Sequence, residues 1–199
     1  MTRRRMIVIA GVAAVVGIVV TLWAAVIARR RVVESSDGAS TSTASTSTTA
    51  PGRKIKARLY YVSMDGTKLT GVDREVSYAD GAAAQAQQIV SAQLSPVTAP
   101  FVSPIPPSTT LRALYLDPKG VAFVDLSKEA STGHTGGSQD ELLTVYSIVN
   151  ALTANLPAIT AVQVLVDGKQ VDTLAGHIDL RRPLQKNLTI IEPEPTASR

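Results

Sequence analysis

Residues 6–28, MIVIAGVAAVVGIVVTLWAAVIA, run for 23 residues without a charge, and nothing else in the chain restricts its architecture as strongly. As a helix rising about 1.5 Å per residue, the run is roughly 35 Å long, enough to cross a bilayer core of about 30 Å with some tilt. Arg3–Arg5 precede it and Arg29–Arg31 follow it, while Trp23 stands near the second boundary, where an indole suits the interface. A cleaved signal peptide is the alternative. Its apolar region would span about 7–15 residues and lead into a small-residue cleavage site. This run is longer and ends on three arginines. The pattern therefore predicts one uncleaved transmembrane anchor over 6–28, with residues 1–5 in the cytoplasm. The arginine flanks nearly balance, so orientation turns on small terms. The N-terminal amine adds charge to the first flank, and Glu34 and Asp37 soften the second. Both favour the N-terminus inside, which makes this a single-pass protein of the cytoplasmic membrane with its C-terminal domain on the extracytoplasmic (periplasmic or cell-wall) side.

Residues 29–52 read as a tether. Within SSDGASTSTASTSTTAPG, residues 35–52, eleven of eighteen positions are Ser or Thr and nothing can bury apolar surface, so the segment is predicted to be disordered. As a flexible coil its root-mean-square span is about 23 Å.

The net charge of +4 belongs entirely to this N-terminal part. Residues 1–52 hold six arginines against Glu34 and Asp37, whereas residues 53–199 hold fourteen basic and fourteen acidic side chains. Nucleic-acid binding needs cations clustered on the folded part, so that class is set aside. With no cysteine, the chain has no disulfide, thiolate nucleophile, cysteine zinc site or lipid-bearing cysteine. Two histidines, His134 and His177, are too few for most histidine-based metal sites, and neither a metal nor a cofactor is expected. At 45% hydrophobic content, the rest of the chain can hold one ordinary domain with a real core.

That domain is predicted over 53–186. In KIKARLYYV, residues 54–62, Ile55, Ala57, Leu59 and Tyr61 alternate with Lys54, Lys56, Arg58 and Tyr60, the period of a half-buried strand. Met64-Asp65-Gly66 reads as a turn and 69–76 as the returning strand. Asp80 is placed to cap a helix over 81–94, which Pro96 stops. Residues 95–108 contain five prolines and must connect irregularly. Strands at 111–116 and 121–126 flank Asp117-Pro118-Lys119-Gly120, good hairpin-loop chemistry. Ser138-Gln139-Asp140-Glu141 then reads as a capping box, with Ser138 and Glu141 satisfying each other's free backbone donors. Leu142, Val145, Val149, Leu152 and Leu156 follow at spacings of 3 and 4, the apolar stripe of a helix that Pro157 ends. A last hairpin joins 161–166 to 169–171 through Asp167-Gly168. The predicted class is α+β, one small antiparallel or mixed sheet carrying two helices in the order β-β-α-β-β-α-β-β, preceded by the transmembrane helix. The tail 187–199 could add a strand at 188–191 before Pro193 and Pro195 fray it.

Three places invite chemistry. The loop TGHTGGS, 132–138, is glycine-rich and opens a helix, as a phosphate loop would. No lysine follows where such a loop needs one, and Asp140 and Glu141 put negative charge where the phosphate would sit, complementing the helix dipole instead. His177 and Asp179, at i and i+2 in GHIDL, could let a carboxylate orient an imidazole. No G-x-S-x-G selects a serine to join them, and no spacing supplies further metal ligands, although Asp125 and His134 are available. Carboxylates such as Asp125, Glu129 and Asp172 would pair as acid and base only by tertiary accident. His177 and Asp179 therefore remain as candidate ligand contacts, against a structural reading in which His177 hydrogen-bonds a loop.

Taken together, PIPPSTTLRALYLDPKGVAFVDLS, GGSQDELLTVYSIVNALTANLPAITAVQVLVDGK and VDTLAGHIDLRRPL resemble, in order and spacing, the GerMN domain of sporulation and spore germination proteins, over roughly residues 54–185. The resemblance implies an extracytoplasmic α/β domain, tethered by a membrane helix or a lipid and similar in fold to ring-building modules of envelope secretion machines. It implies no catalytic residues. Asp125, Ser138, Glu141, Asp167, Gly168, Gly176 and His177 then become parts of a structural signature. This chain departs from the better-known members in having one domain copy and no lipidation cysteine.

The resulting expectation is a non-catalytic scaffolding module of the cell envelope, anchored through 6–28 and engaging an envelope protein or a second copy of itself. A domain that binds a cell-wall fragment or small molecule, or hydrolyses weakly through His177 and Asp179, is the alternative.

Overall fold

The computed structural model describes residues 52–134 and 136–193. The anchor at 6–28, its orientation and the Ser/Thr tether therefore lie outside the described residues. Among the described residues, no helix is long and apolar enough to cross a membrane.

The alternation at 54–62 becomes β1 (Lys54–Val62), which pairs antiparallel with β2 (Leu69–Ser77), Val62 opposite Leu69 and Lys54 opposite Ser77. The turn between them is set by Asp65, whose carboxylate accepts from the Ser63 hydroxyl at 2.6 Å and the Thr67 N–H at 3.0 Å. Those donors, the Ser63 hydroxyl first, hold its pKa down at about 2. Helix α1 (Ala82–Leu94) buries Gln85, Ala86, Ile89, Val90 and Gln93, one face at spacings of 1, 4, 5 and 8. It ends where Ser95 turns extended ahead of Pro96.

Strands β3 (Leu111–Leu116) and β4 (Val121–Leu126) form the second hairpin, whose loop is tied by Asp117 Oδ1 accepting from Lys119 N and Val121 N, both at 2.8 Å. One helical turn, α2 (Glu129–Thr132), and the long α3 (Ser138–Asn155) lead to β5 (Ala161–Val166), which lies parallel to β4 with Val124 beside Val164. The two residues of β6, Lys169–Gln170, close the sheet, in the order β3-β4-β5-β6.

The elements follow the sequence, but they make two sheets where one was expected. The reason lies at the outer edge of β1. Asn155 of α3 accepts from the backbone N–H of Arg58 and donates to its carbonyl, both at 2.8 Å. Gln93 of α1 does the same for Tyr60, at 2.9 and 2.7 Å. Val62 N–H donates to the Val102 carbonyl at 2.9 Å. Carboxamides from both helices thus occupy the ladder positions that a third strand would use, and the proline-rich 95–108 segment supplies only one bridge.

Both long helices touch both sheets, α1 against β1, β2 and β3 and α3 against β1 and β5. As a consequence, α3 is buried nearly all round rather than along a single stripe: Leu143, Val145, Ile148, Val149 and Leu152 join Thr144, Ser147 and Asn150 inside. The polar members are satisfied locally, Ser147 donating to the Thr144 carbonyl at 2.8 Å. Asn150 donates to the Asn187 carbonyl at 3.0 Å and accepts from its N–H at 2.9 Å, fastening the chain after 186. Beyond it, instead of a strand over 188–191, a single parallel bridge joins Ile191 to Leu69.

Two expected caps are replaced. α1 starts after Gly81 (φ 84°), and Asp80 accepts from the Tyr78 hydroxyl at 2.7 Å instead of capping. α3 starts after Gly137 (φ 98°) with no side-chain cap, so Ser138 and Glu141 form no capping box. A positive φ at the start of each helix favours glycine, and the Glu141 carboxylate is drawn inward to other donors.

Candidate functional site

Those donors build the polar centre of the domain. Glu141, in the first turn of α3, is fully buried. Its Oε1 accepts from Leu174 N–H at 2.8 Å and its Oε2 from His177 N–H at 2.7 Å, with His177 Nδ1 3.1 Å from Oε2. The backbone N–H groups of Ala175 and Ile178 also stabilise the ionised carboxylate. Burial pushes the Glu141 pKa up, and the four backbone donors more than reverse it, so the carboxyl titrates below the ordinary glutamate range. The loop around it is closed by Leu180 N–H donating to the Asp172 carbonyl at 2.8 Å, and Gly176 takes a positive φ of 100°. A carboxylate ringed by converging N–H groups is the anion nest of a binding loop, filled here by the protein's own side chain.

The GHIDL residues therefore diverge. His177 is tied to Glu141, with its ring 41% exposed. Asp179 turns away to Arg181, accepting from its backbone N–H at 3.0 Å and from its guanidinium at 2.9 and 2.8 Å. The Arg181 side chain holds the Asp179 carboxyl far below the usual carboxylate range. The two candidate ligand contacts share a loop without forming a hydrogen-bonded pair.

Asp125, on β4, lies 43 residues before its main partner. Its Oδ1 accepts from Gly168 N–H at 2.7 Å, and its Oδ2 lies 3.3 Å from Arg112 Nε. The same guanidinium reaches Asp167 at 3.1 Å. Asp167 (φ 50°) and Gly168 (φ 74°) form the left-handed turn between β5 and β6, and this trio pins it. Ser138 stays exposed at the start of α3. His134 lines a cleft of about 380 Å³ with Pro104, Ile105, Asp140 and Leu143; its Nε2 is 3.1 Å from the Thr144 hydroxyl, and its Nδ1 is buried without a partner. A second cleft of about 390 Å³ shares Val102, Ser103, Ile105 and Pro107 with it and is also lined by Leu94, Val97 and Phe101. Among the described residues, no three His, Asp or Glu side chains are placed to hold a metal ion.

The residues that sequence reasoning passed over are the carboxamides Gln93, Asn150 and Asn155. Their signal was present, as an amide on or beside the buried face of an amphipathic helix asks for a backbone partner.

A protein-family model described as Germane, sporulation and spore germination, matches residues 58–172, more than half of the chain. Among solved structures, the first GerMN domain of the sporulation protein GerM from Bacillus subtilis superposes with a TM-score of 0.51 at 19% identity, covering 66% of this chain and 97% of that one. The tandem GerMN domains of the same protein give 0.56 at 18% identity, covering 73% of this chain and 50% of theirs. No curated protein matches.

Proposed function

Because this chain belongs to the Germane family of sporulation and spore germination domains, we propose that it is a non-catalytic interaction module of the cell envelope, held outside the cytoplasmic membrane by residues 6–28 on the 29–52 tether. The observation that carries this reading is the direction in which the reactive groups face. The Glu141, Asp125 and Asp179 carboxylates each engage the chain's own backbone or arginine side chains. The polar centre is thereby a device for fixing loops, and partners are left to the surface. Ligand binding or hydrolysis through His177 and Asp179 would need the two side chains to converge, and they point to different partners. The family name carries no particular process to this chain.

The test is site-specific photo-crosslinking in living cells with the full-length protein. Photo-reactive residues at Asp73, Lys119 and Leu188, three exposed positions on different elements, sample its surface. Discrete adducts with one or a few envelope proteins, concentrated at one position, are expected. Uniform absence of adducts at all three, in cells where a known envelope complex is trapped in parallel, would overturn the reading.

A further inference from the structure

Hydrogen bonds at Leu69 show which way the backbone of β2 faces. Leu69 N–H donates to the Ile190 carbonyl and its own carbonyl accepts from Glu192 N–H, both at 2.8 Å, so Leu69 points away from β1. In a strand the direction repeats every second residue. Gly71, Asp73 and Glu75 therefore also present N–H and C=O outward, and among the described residues no hydrogen bond reaches those groups. The opposite edge of the same sheet is closed at Arg58, Tyr60 and Val62, as described above. Helix α1 likewise leans on the outer side of β3, where Gln87 donates to the Leu114 carbonyl at 3.5 Å. From Gly71 onward, β2 is an open edge of the kind to which extended peptides add as a strand.

The side chains state what would fit. On one face β1 carries a basic row, Lys54, Lys56 and Arg58, and β2 answers with an acidic row, Asp73 and Glu75. The pairs Lys54–Glu75 at 2.9 Å and Arg58–Asp73 at 3.3 Å join them, with the Asp73 and Glu75 side chains still 58% and 68% exposed. On the other face, Val72 and Val76 flank Arg74. A second copy of β2 fits poorly. Each antiparallel register that engages both acids sets Asp73 opposite Asp73 or Glu75, or Glu75 opposite itself, and like charges directly opposite destabilise a sheet.

We propose that the Gly71–Ser77 edge of β2 binds an extended segment of another protein in the pattern apolar-basic-x-basic-apolar. Its two lysines or arginines lie against Asp73 and Glu75, and its apolar residues lie against Val72 and Val76. Backbone hydrogen bonds hold the segment, and the acidic row selects its charge. This inference rests on the interaction-module reading and names its partner's chemistry.

The experiment is residue-resolved amide hydrogen exchange on the full-length chain at low salt, with acetyl-Val-Lys-Thr-Lys-Val-amide as probe and acetyl-Val-Glu-Thr-Glu-Val-amide as control. Added basic peptide should slow exchange at Gly71, Asp73 and Glu75, at concentrations at least about tenfold below those needed by the acidic one. Asp73→Asn combined with Glu75→Gln should remove the preference. Protection elsewhere, equal response to both peptides or no response overturns the proposal. So does finding those amides already protected in the free chain and released by deleting 193–199, which would give the edge to the protein's own tail. Failure here combined with crosslinks in cells would reject this edge and leave the module reading standing.

Discussion

Replacing Glu141 tests the description of the polar centre most directly. Four backbone N–H groups, those of Leu174, Ala175, His177 and Ile178, converge on a carboxylate that water does not reach. A hydrogen bond to a charged group contributes about 1.5–3 kcal/mol net, and a buried donor left without its acceptor costs about 1–3 kcal/mol. Part of the loop can rehydrate, since the His177 ring is 41% exposed, whereas Leu174 is only 5% exposed. Taking about 1 kcal/mol for each donor, Glu141→Ala should lose about 4 kcal/mol, a large share of the roughly 5–15 kcal/mol that holds a domain together. Glu141→Gln keeps one acceptor oxygen and should lose about half as much. His177→Ala should change stability by less than about 1 kcal/mol, because the backbone N–H rather than the ring makes the shorter contact. The pH dependence has a definite sign. A carboxyl whose folded pKa is lowered stabilises fully above its unfolded pKa of about 4.3, and that contribution disappears as pH falls through the lower folded value. In urea titrations the gap between wild type and Glu141→Gln should therefore be widest at neutral pH and shrink as the solution is acidified below about 4. An unchanged midpoint for Glu141→Gln at neutral pH, or a gap that ignores acidification, would refute the reasoning.

Other changes test other joints. Gln93→Met removes the carboxamide that serves both backbone groups of Tyr60, at a fully buried position; it should cost about 2–4 kcal/mol in urea denaturation and speed exchange of the Tyr60 amide. Asp125→Ala frees the Gly168 N–H and leaves Arg112 only its Asp167 contact. A loss of about 1–3 kcal/mol, with faster exchange confined to the β5–β6 turn, is the expected result. Gly120→Ala forces a side chain into φ 85° with its Cβ 2.7 Å from the Ala158 carbonyl oxygen, and calorimetry should show at least about 1–2 kcal/mol of destabilisation.

The strands were legible because their information is local. Alternation at 54–62 and the turn chemistry of Asp117–Gly120 and Asp167–Gly168 specify hairpins whatever packs on them. The division into two sheets was not legible, because it depends on Asn155 and Gln93 reaching strand residues 97 and 33 positions away. The all-round burial of α3 was hidden for a related reason. Thr144, Ser147 and Asn150 lie off the apolar stripe read from the sequence, and only tertiary context shows their polar atoms satisfied inside. At the candidate site, the sequence marked His177 and Asp179 by proximity, but it could not show that Glu141, 36 residues away, holds the histidine while Arg181 takes the aspartate. A four-residue cap pattern at Ser138–Glu141 competed with a long-range role for the same carboxylate, and the long-range role won because four donors outweigh one.

The carboxamides on β1 also limit what this protein can build. A fibre that grows strand by strand needs every copy to receive a neighbour on one flank and offer a ladder on the other. Here one flank is blocked from Arg58 to Val62 by Asn155, Gln93 and Val102, and its unblocked beginning carries Lys54 and Lys56. A segment added to the β2 edge would therefore find nothing to pass on across β1 from Arg58 to Val62. An array extended through the backbone ladders of this sheet would end its row at this chain rather than propagate it.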